Sequence, residues 1–135
     1  MTQEEKVYKI VGACWAVHNA LKYGLLEKAY QWALIFELQQ LGFSVEWEVE
    51  VPFIYKNNRI DRAFRVDLLI DKEIVVEVKA VEKMAAVCFH QLYTYLRFLG
   101  LRNGVLVNFG EYNFRKDGIF RIDALNWNPR MIENR

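Results

Sequence analysis

This chain is poor in cysteine and histidine and has almost no net charge, and each shortage excludes something. There are only two cysteines, Cys14 and Cys88, far apart and without a CxxC pair, and only two histidines, His18 and His90. A zinc site of the usual Cys/His kind does not fit so sparse a set. Each cysteine lies in a helix-like apolar pattern, which reads as a reduced core thiol. The net charge of +1 lacks the strong basic balance of most nucleic-acid binders, although a local patch can serve instead. Lys56, Arg59, Arg62 and Arg65 against the single acid Asp61 form the one basic strip; it reads either as a solvated hairpin or as a surface facing phosphate. No apolar run approaches membrane-spanning length, and the opening Met1–Lys6 is too polar for a signal peptide. The expectation is a cytoplasmic protein with no membrane partner. Internal repeats, linkers and low-complexity segments are absent as well, so the 135 residues read as one domain.

What is present is a change of hydrophobic period. Thr2 and Glu5 have capping-box spacing, and Val7, Ile10, Cys14, Val17 and Leu21 then recur at helical intervals, predicting a helix over 3–22. A second helix fits 25–41, with Leu26, Ala29, Ala33 and Phe36 along it and Gly42 as its stop. From residue 43 the period is two: Phe43, Val45, Trp47, Val49 and Val51 alternate with Ser44, Glu46, Glu48 and Glu50. The three glutamates read as the solvated side of an antiparallel strand rather than as a metal site. Pro52 limits or bends this strand, Asn57-Asn58 suits a turn, and strands follow over 60–70 and 74–80. A helix over 83–99 carries Cys88, Leu92, Leu96 and Leu99 on one stripe. The apolar run 104–109 reads as a buried strand parallel to a neighbour, and 119–123 as an edge strand. The order predicts an α/β domain around a mixed sheet. The tail from 124 is polar, with Trp127 as its anchor.

Two apolar strands carry misplaced charges: Asp67 in Phe64–Ile70, and Glu77 with Lys79 in Val75–Ala80. Charge inside a sheet is costly unless paired, solvated or bound to metal. Glu77 and Lys79 share a face by strand parity. A two-residue loop at 71–72 would oppose Asp67 to Val76. A three-residue loop, 71–73, pairs Ile70 with Ile74 and sets Asp67 opposite Glu77, at about 5 Å between Cβ atoms. Two carboxylates so placed repel unless a cation joins them, so a metal site requires the three-residue loop or a bulge of equal parity. Oxygen ligands from Asp67 and Glu77 suit Mg2+ or Mn2+, with Lys79 beside the reacting phosphate. The bland reading is a Glu-Lys pair on a solvated strand face.

Several ordered motifs together resemble the GxxExxY protein family, a branch of the PD-(D/E)XK nuclease superfamily: Gly24-Leu25-Leu26-Glu27-Lys28-Ala29-Tyr30, then Phe64–Ile70, Val75–Lys83, Gln91–Leu96 and Leu101–Gly110. The resemblance covers about residues 4–123. It implies a restriction-endonuclease-like α-β-β-β-α-β core, Asp67 and Glu77 as metal ligands, and Lys79 as the catalytic lysine. By analogy with the superfamily it also implies Glu27 as a further acid of the site and Gln91 as a contact to substrate, water or a site residue. The proline of the superfamily's name is missing, since Arg65-Val66 precede Asp67. Arg62, Arg65 and Tyr30 are candidate substrate contacts, with packing the competing reading for Tyr30; for His18 a partly buried helix histidine is preferred to a catalytic one. The expected function is a metal-dependent nuclease acting on nucleic acid, DNA in preference to RNA, with a homodimer as a way for so small a domain to grip a duplex. The alternative is a weakly catalytic or non-catalytic binding or complex-forming module that keeps the fold.

Overall fold

The structure, a computed structural model, describes residues 1–127; residues 128–135, most of the expected tail, lie outside the described residues. Two helices lead the chain, α1 (Gln3–Leu21) and α2 (Glu27–Gln40). Three strands follow, β1 (Val45–Tyr55), β2 (Asn58–Ile70) and β3 (Ile74–Lys79), then α3 (Val87–Leu99), β4 (Asn103–Asn108), a short α4 (Phe114–Asp117) and β5 (Ile119–Asp123). The five strands form one sheet in sequential order. β3 and β4 are parallel, joined through α3, and the other neighbours are antiparallel. This is a single α/β domain with a mixed sheet, consistent with a restriction-endonuclease-like fold.

The two sheet faces carry separate cores. Ile10, Cys14, Val17, Tyr30, Leu34 and Leu38 pack from α1 and α2 onto Leu68, Ile70, Val76 and Val78. Phe89, Leu92 and Leu96 of α3 pack with Val51, Val66, Leu69, Val75 and Leu106 on the other side. β3 and β4 are buried along almost their whole length, as parallel strands covered on both faces must be. Among the described residues no helix is long and apolar enough to cross a membrane.

The hairpin that decides the site has the anticipated register. Ile70 pairs with Ile74 across the loop Asp71-Lys72-Glu73. Asp71 and Lys72 both take positive φ, 51° and 57°. Lys6 pins the loop from α1, 3.0 Å from Asp71 and 2.9 Å from Glu73, and the Asp71 carboxylate accepts the Ser44 N–H at 2.8 Å.

Several local expectations are revised. Of the two readings of Pro52, β1 takes the bend and not the stop: it runs to Tyr55, because β1 is the edge strand and the missing N–H interrupts no inner ladder, with a register shift between Val51 and Phe53. The tight turn is Lys56-Asn57, one residue earlier than expected, with Tyr55 paired to Asn58 and positive φ at both turn residues. α3 begins at Val87 rather than near 83. α2 turns a different face inward: Tyr30, Gln31, Leu34, Ile35 and Leu38 are buried, whereas Leu26 and Phe36 are 83% and 60% exposed. Apolar and polar residues are interleaved all round the segment, so period alone does not choose its inner face. Trp127 does anchor the end of the described chain, its ring 5.6 Å from Tyr93 and 5.8 Å from His90.

Candidate active site

The even-numbered side chains of β2 change sides at Asp67. Phe64 and Val66 pack with α3, whereas Leu68 and Ile70 pack with α1 and α2. The β1 residue at this level is Glu48, skipped in the ladder between Trp47↔Leu68 and Val49↔Val66, and its φ is 52°. A non-glycine residue in that region marks a local distortion. On the other side, the ladder to β3 ends at Leu68↔Val76. Asp67 therefore lies where its strand breaks from both neighbours.

The next rung is made by side chains. The Asp67 N–H donates to Glu77 Oε1 at 3.2 Å, and the Val78 N–H donates to Asp67 Oδ2 at 2.7 Å. Glu77 is only 7% exposed. Burial, then the Asp67 charge, push its carboxyl well above the usual glutamate range, against the opposing pull of the Asp67 N–H and Lys79. The charged form is thus disfavoured in the bare protein.

Lys79 and Glu27 complete the group. Burial alone would lower the Lys79 ammonium, but the Cys88 sulfur and the carboxylates of Glu77, Glu27 and Asp67 outweigh it and hold the pKa above its ordinary value. Glu27 is the first residue of α2. Burial raises its pKa, with Lys79 pulling the other way and Asp67 adding to the rise. Of the five expected catalytic side chains, Asp67 and Glu77 are thus joined through hydrogen bonds, and Lys79 and Glu27 lie within their electrostatic range. Gln91 is exposed on α3, and among the described residues no hydrogen bond joins it to the carboxylates.

The spacing Gly24, Glu27, Tyr30 has a local explanation. Gly24 takes φ 110° in the link between α1 and α2, a conformation unfavourable to any residue with a Cβ. The Tyr30 hydroxyl donates to the Lys22 carbonyl at 2.5 Å and accepts the Leu25 N–H at 3.2 Å. It locks the link that presents Glu27. Tyr30 itself is fully buried, its ring stacked on Phe109 at 4.7 Å. The structure therefore corrects Tyr30 as a substrate contact: it is a packing residue with its hydroxyl already engaged. His18 likewise packs in α1, stacked on Phe114 at 3.9 Å, with its pKa lowered by burial and then by Lys22.

Of the arginines, Arg65 is exposed and pairs with Glu48 at 3.5 Å. Arg62 is also exposed, beside Glu50, Pro52, Arg59 and Asp61 on the outer half of the hairpin, about 17 Å of strand beyond Asp67. The structure does not bring it to the carboxylates.

Three residues at the site were missed in the sequence. Cys88 and Tyr95 are seven apart on α3, two turns along one face, and both lie in the electrostatic range of the site: the Tyr95 phenol is raised by burial and then by the Glu77 charge. Cys88 is half-buried beside Lys79, unlike Cys14, whose burial pushes its thiol up to about 12. Asn108, fully buried at the end of β4, holds the backbone after Lys79: its carboxamide accepts the Val81 and Gly110 N–H groups, each at 3.0 Å, and donates to the Val81 carbonyl at 2.9 Å. The helical stripe containing Leu92 could have flagged Tyr95; nothing in the sequence flags Asn108.

Among the described residues no three His, Cys, Asp or Glu side chains are grouped to hold a metal. The donor set is two carboxylates, Asp67 and Glu77. Such a pair, one member buried and opposed by the other's charge, suits a hard divalent cation that keeps several waters.

A mixed sheet with two carboxylates and a lysine at the opened end of its central hairpin defines the restriction-endonuclease-like class. A PD-(D/E)XK nuclease superfamily model matches residues 4–122, and the chain belongs to that superfamily. No curated protein and no solved structure matches the chain significantly.

Proposed function

We propose that this protein is a metal-dependent nuclease that hydrolyses phosphodiester bonds in nucleic acid, with Asp67, Glu77, Lys79 and Glu27 as its centre. The observation that carries the reading is the buried Glu77 carboxyl facing Asp67 with the Lys79 ammonium alongside. A structural role would be served better by apolar residues here, whereas a phosphodiesterase needs anionic ligands and a cation near one reacting phosphate. Asp67 and Glu77 would hold Mg2+ or Mn2+, which when bound supplies Lewis-acid polarisation of the phosphate and acidifies a bound water.

The chain's own groups do the rest. Lys79, held charged by the surrounding anions, neutralises charge developing on the phosphate and orients the attacking water. Glu27, at the start of α2, sits in the field of the same ammonium. Cys88 and Tyr95 close the α3 side of the site. Gln91 is assigned a contact to substrate or solvent, and Arg65, two residues from Asp67, a contact to a flanking phosphate. The Gly24, Glu27, Tyr30 spacing supports placing the chain in the GxxExxY branch.

The test is cleavage of single-stranded, double-stranded and branched substrates by purified protein with Mg2+ or Mn2+. Lys79→Ala and Glu77→Ala should abolish cleavage with the fold intact by circular dichroism. Activity equal to wild type in both variants would reveal a contaminant and defeat the proposal. The second reading, a binding module with slow turnover, rests on the near-neutral charge and predicts binding without cleavage in the same experiment.

A further inference from the structure

The α2 face turned away from the core is not a conventional solvated face. Trp32 and Phe36 are 53% and 60% exposed, and Trp47 of the neighbouring edge strand is 44% exposed. The two indoles meet edge to face, with centroids 5.4 Å apart. Lys28, Trp32 and Phe36 follow one another at i, i+4 and i+8, so they form a single stripe along α2. Exposed aromatics grouped in this way are unusual on a free surface and mark a contact site.

This stripe begins at the candidate active site. Lys28 follows Glu27, and it is ion-paired with Glu48, which also pairs with Arg65. Glu48 lies at the level of Asp67 in the β1–β2 register. Two exposed cations thus share the Glu48 carboxylate, with Glu50 across the ladder from Arg65, and they lie between the aromatic patch and the acids. Trp32 lies about 7.5 Å along the helix axis and about 140° around it from Glu27, with Lys28 between the two in angle.

We propose that Trp32 and Trp47, with Phe36 beyond them, form a stacking platform for unpaired bases, and that Lys28 and Arg65 hold the phosphates between the platform and the acidic centre. The substrate class is therefore single-stranded nucleic acid, or a flap, loop or frayed end that exposes unpaired bases. A duplex keeps its base faces stacked inside and offers nothing for exposed indoles to cover, whereas single strands bind through aromatic stacking combined with basic contacts to the backbone. This inference deepens the nuclease reading and names the substrate of that same site.

The test is fluorescence anisotropy of labelled oligo-dT, oligo-rU and a blunt duplex of equal length, with the full chain in EDTA so that nothing turns over. The single strands should bind more tightly than the duplex. Trp32→Ala and Trp47→Ala should each weaken single-strand binding about tenfold, while Trp32→Phe retains most of it and thermal melting is unchanged. Equal affinity for duplex and single strand, or alanine variants that bind like wild type, would overturn the platform. So would sedimentation showing a wild-type dimer that these variants dissociate with binding unaltered, since the patch would then be an interface between copies. The two proposals fail separately. Trp-dependent binding without cleavage in Mg2+ or Mn2+ removes the nuclease reading alone; Lys79-dependent cleavage of single strands that ignores both tryptophans removes the platform alone.

Discussion

Glu77→Gln should stabilise the metal-free protein. In the native fold the Glu77 carboxyl is buried against Asp67, and burial and like charge raise its pKa. Folding thus favours the protonated form. The stability this group contributes is complete below the ordinary glutamate value of 4.5 and is lost as pH rises through the raised folded-state value. Gln keeps the size of the side chain, and its Oε1 can still accept the Asp67 N–H. It removes the ionisation cost that wild type meets at neutral and alkaline pH. Replacing an uncomfortable buried charge by a neutral group of equal shape is worth about 1–2 kcal/mol, or about 4–8 °C in Tm for a domain of this size. The difference should vanish near pH 4. Divalent cation should reverse the ranking. Mn2+ at a hundredfold excess over its Kd stabilises the native state by about 2.7 kcal/mol, and only wild type should show it, increasingly as pH rises. Differential scanning calorimetry from pH 4 to 9, with EDTA or Mn2+, checks both parts. A Glu77→Gln protein less stable than wild type at pH 8 in EDTA, or stabilised equally by Mn2+, would refute the reasoning.

Two further perturbations address the supports of the site. Tyr30→Phe keeps the ring on Phe109 but leaves the Lys22 carbonyl and Leu25 N–H without their partner, at a cost of about 1–3 kcal/mol; urea unfolding measures it, and unchanged stability with weakened oligonucleotide binding would restore Tyr30 as a substrate contact. Asn108→Ala removes three buried hydrogen bonds from the segment that follows Lys79 and should cost about 3 kcal/mol. Gly110→Ala places a Cβ 2.5 Å from the Val81 carbonyl oxygen, so it should displace the same segment and lower kcat well beyond any loss of stability, as paired kinetic and unfolding measurements would show.

The elements and the opposed carboxylates were legible in the sequence because they depend on period and parity, which are local. Alternation over 43–51 predicts a strand wherever it sits. A three-residue loop at 71–73 necessarily places Asp67 across from Glu77, and strand geometry puts Lys79 on the Glu77 side. Capping spacing at Thr2 and the glycine stop at Gly100 mark helix ends for equally local reasons: the Thr2 hydroxyl accepts the Glu5 N–H at 3.1 Å, and Gly100 adopts φ 70°. The Asp67, Glu77, Lys79 arrangement is thus a property of the chain's order.

What only the tertiary structure decided depends on which surface each element finds. α2 interleaves apolar and polar residues all round, so its period cannot choose an inner face; packing against α1 and the sheet buries Tyr30 and leaves Trp32 and Phe36 outside. Cys88 and Tyr95 reach the acids because the β3–α3–β4 crossover lays α3 over that face of the sheet, and the same placement leaves Gln91 exposed. The reversal of side-chain direction at Asp67, with Glu48 forced to positive φ beside it, arises because the two halves of the β1–β2 hairpin serve different cores. Local sequence set the acids opposite each other in neighbouring strands; the competition between two cores opened the sheet at that point, so that side-chain hydrogen bonds replace an ordinary backbone rung.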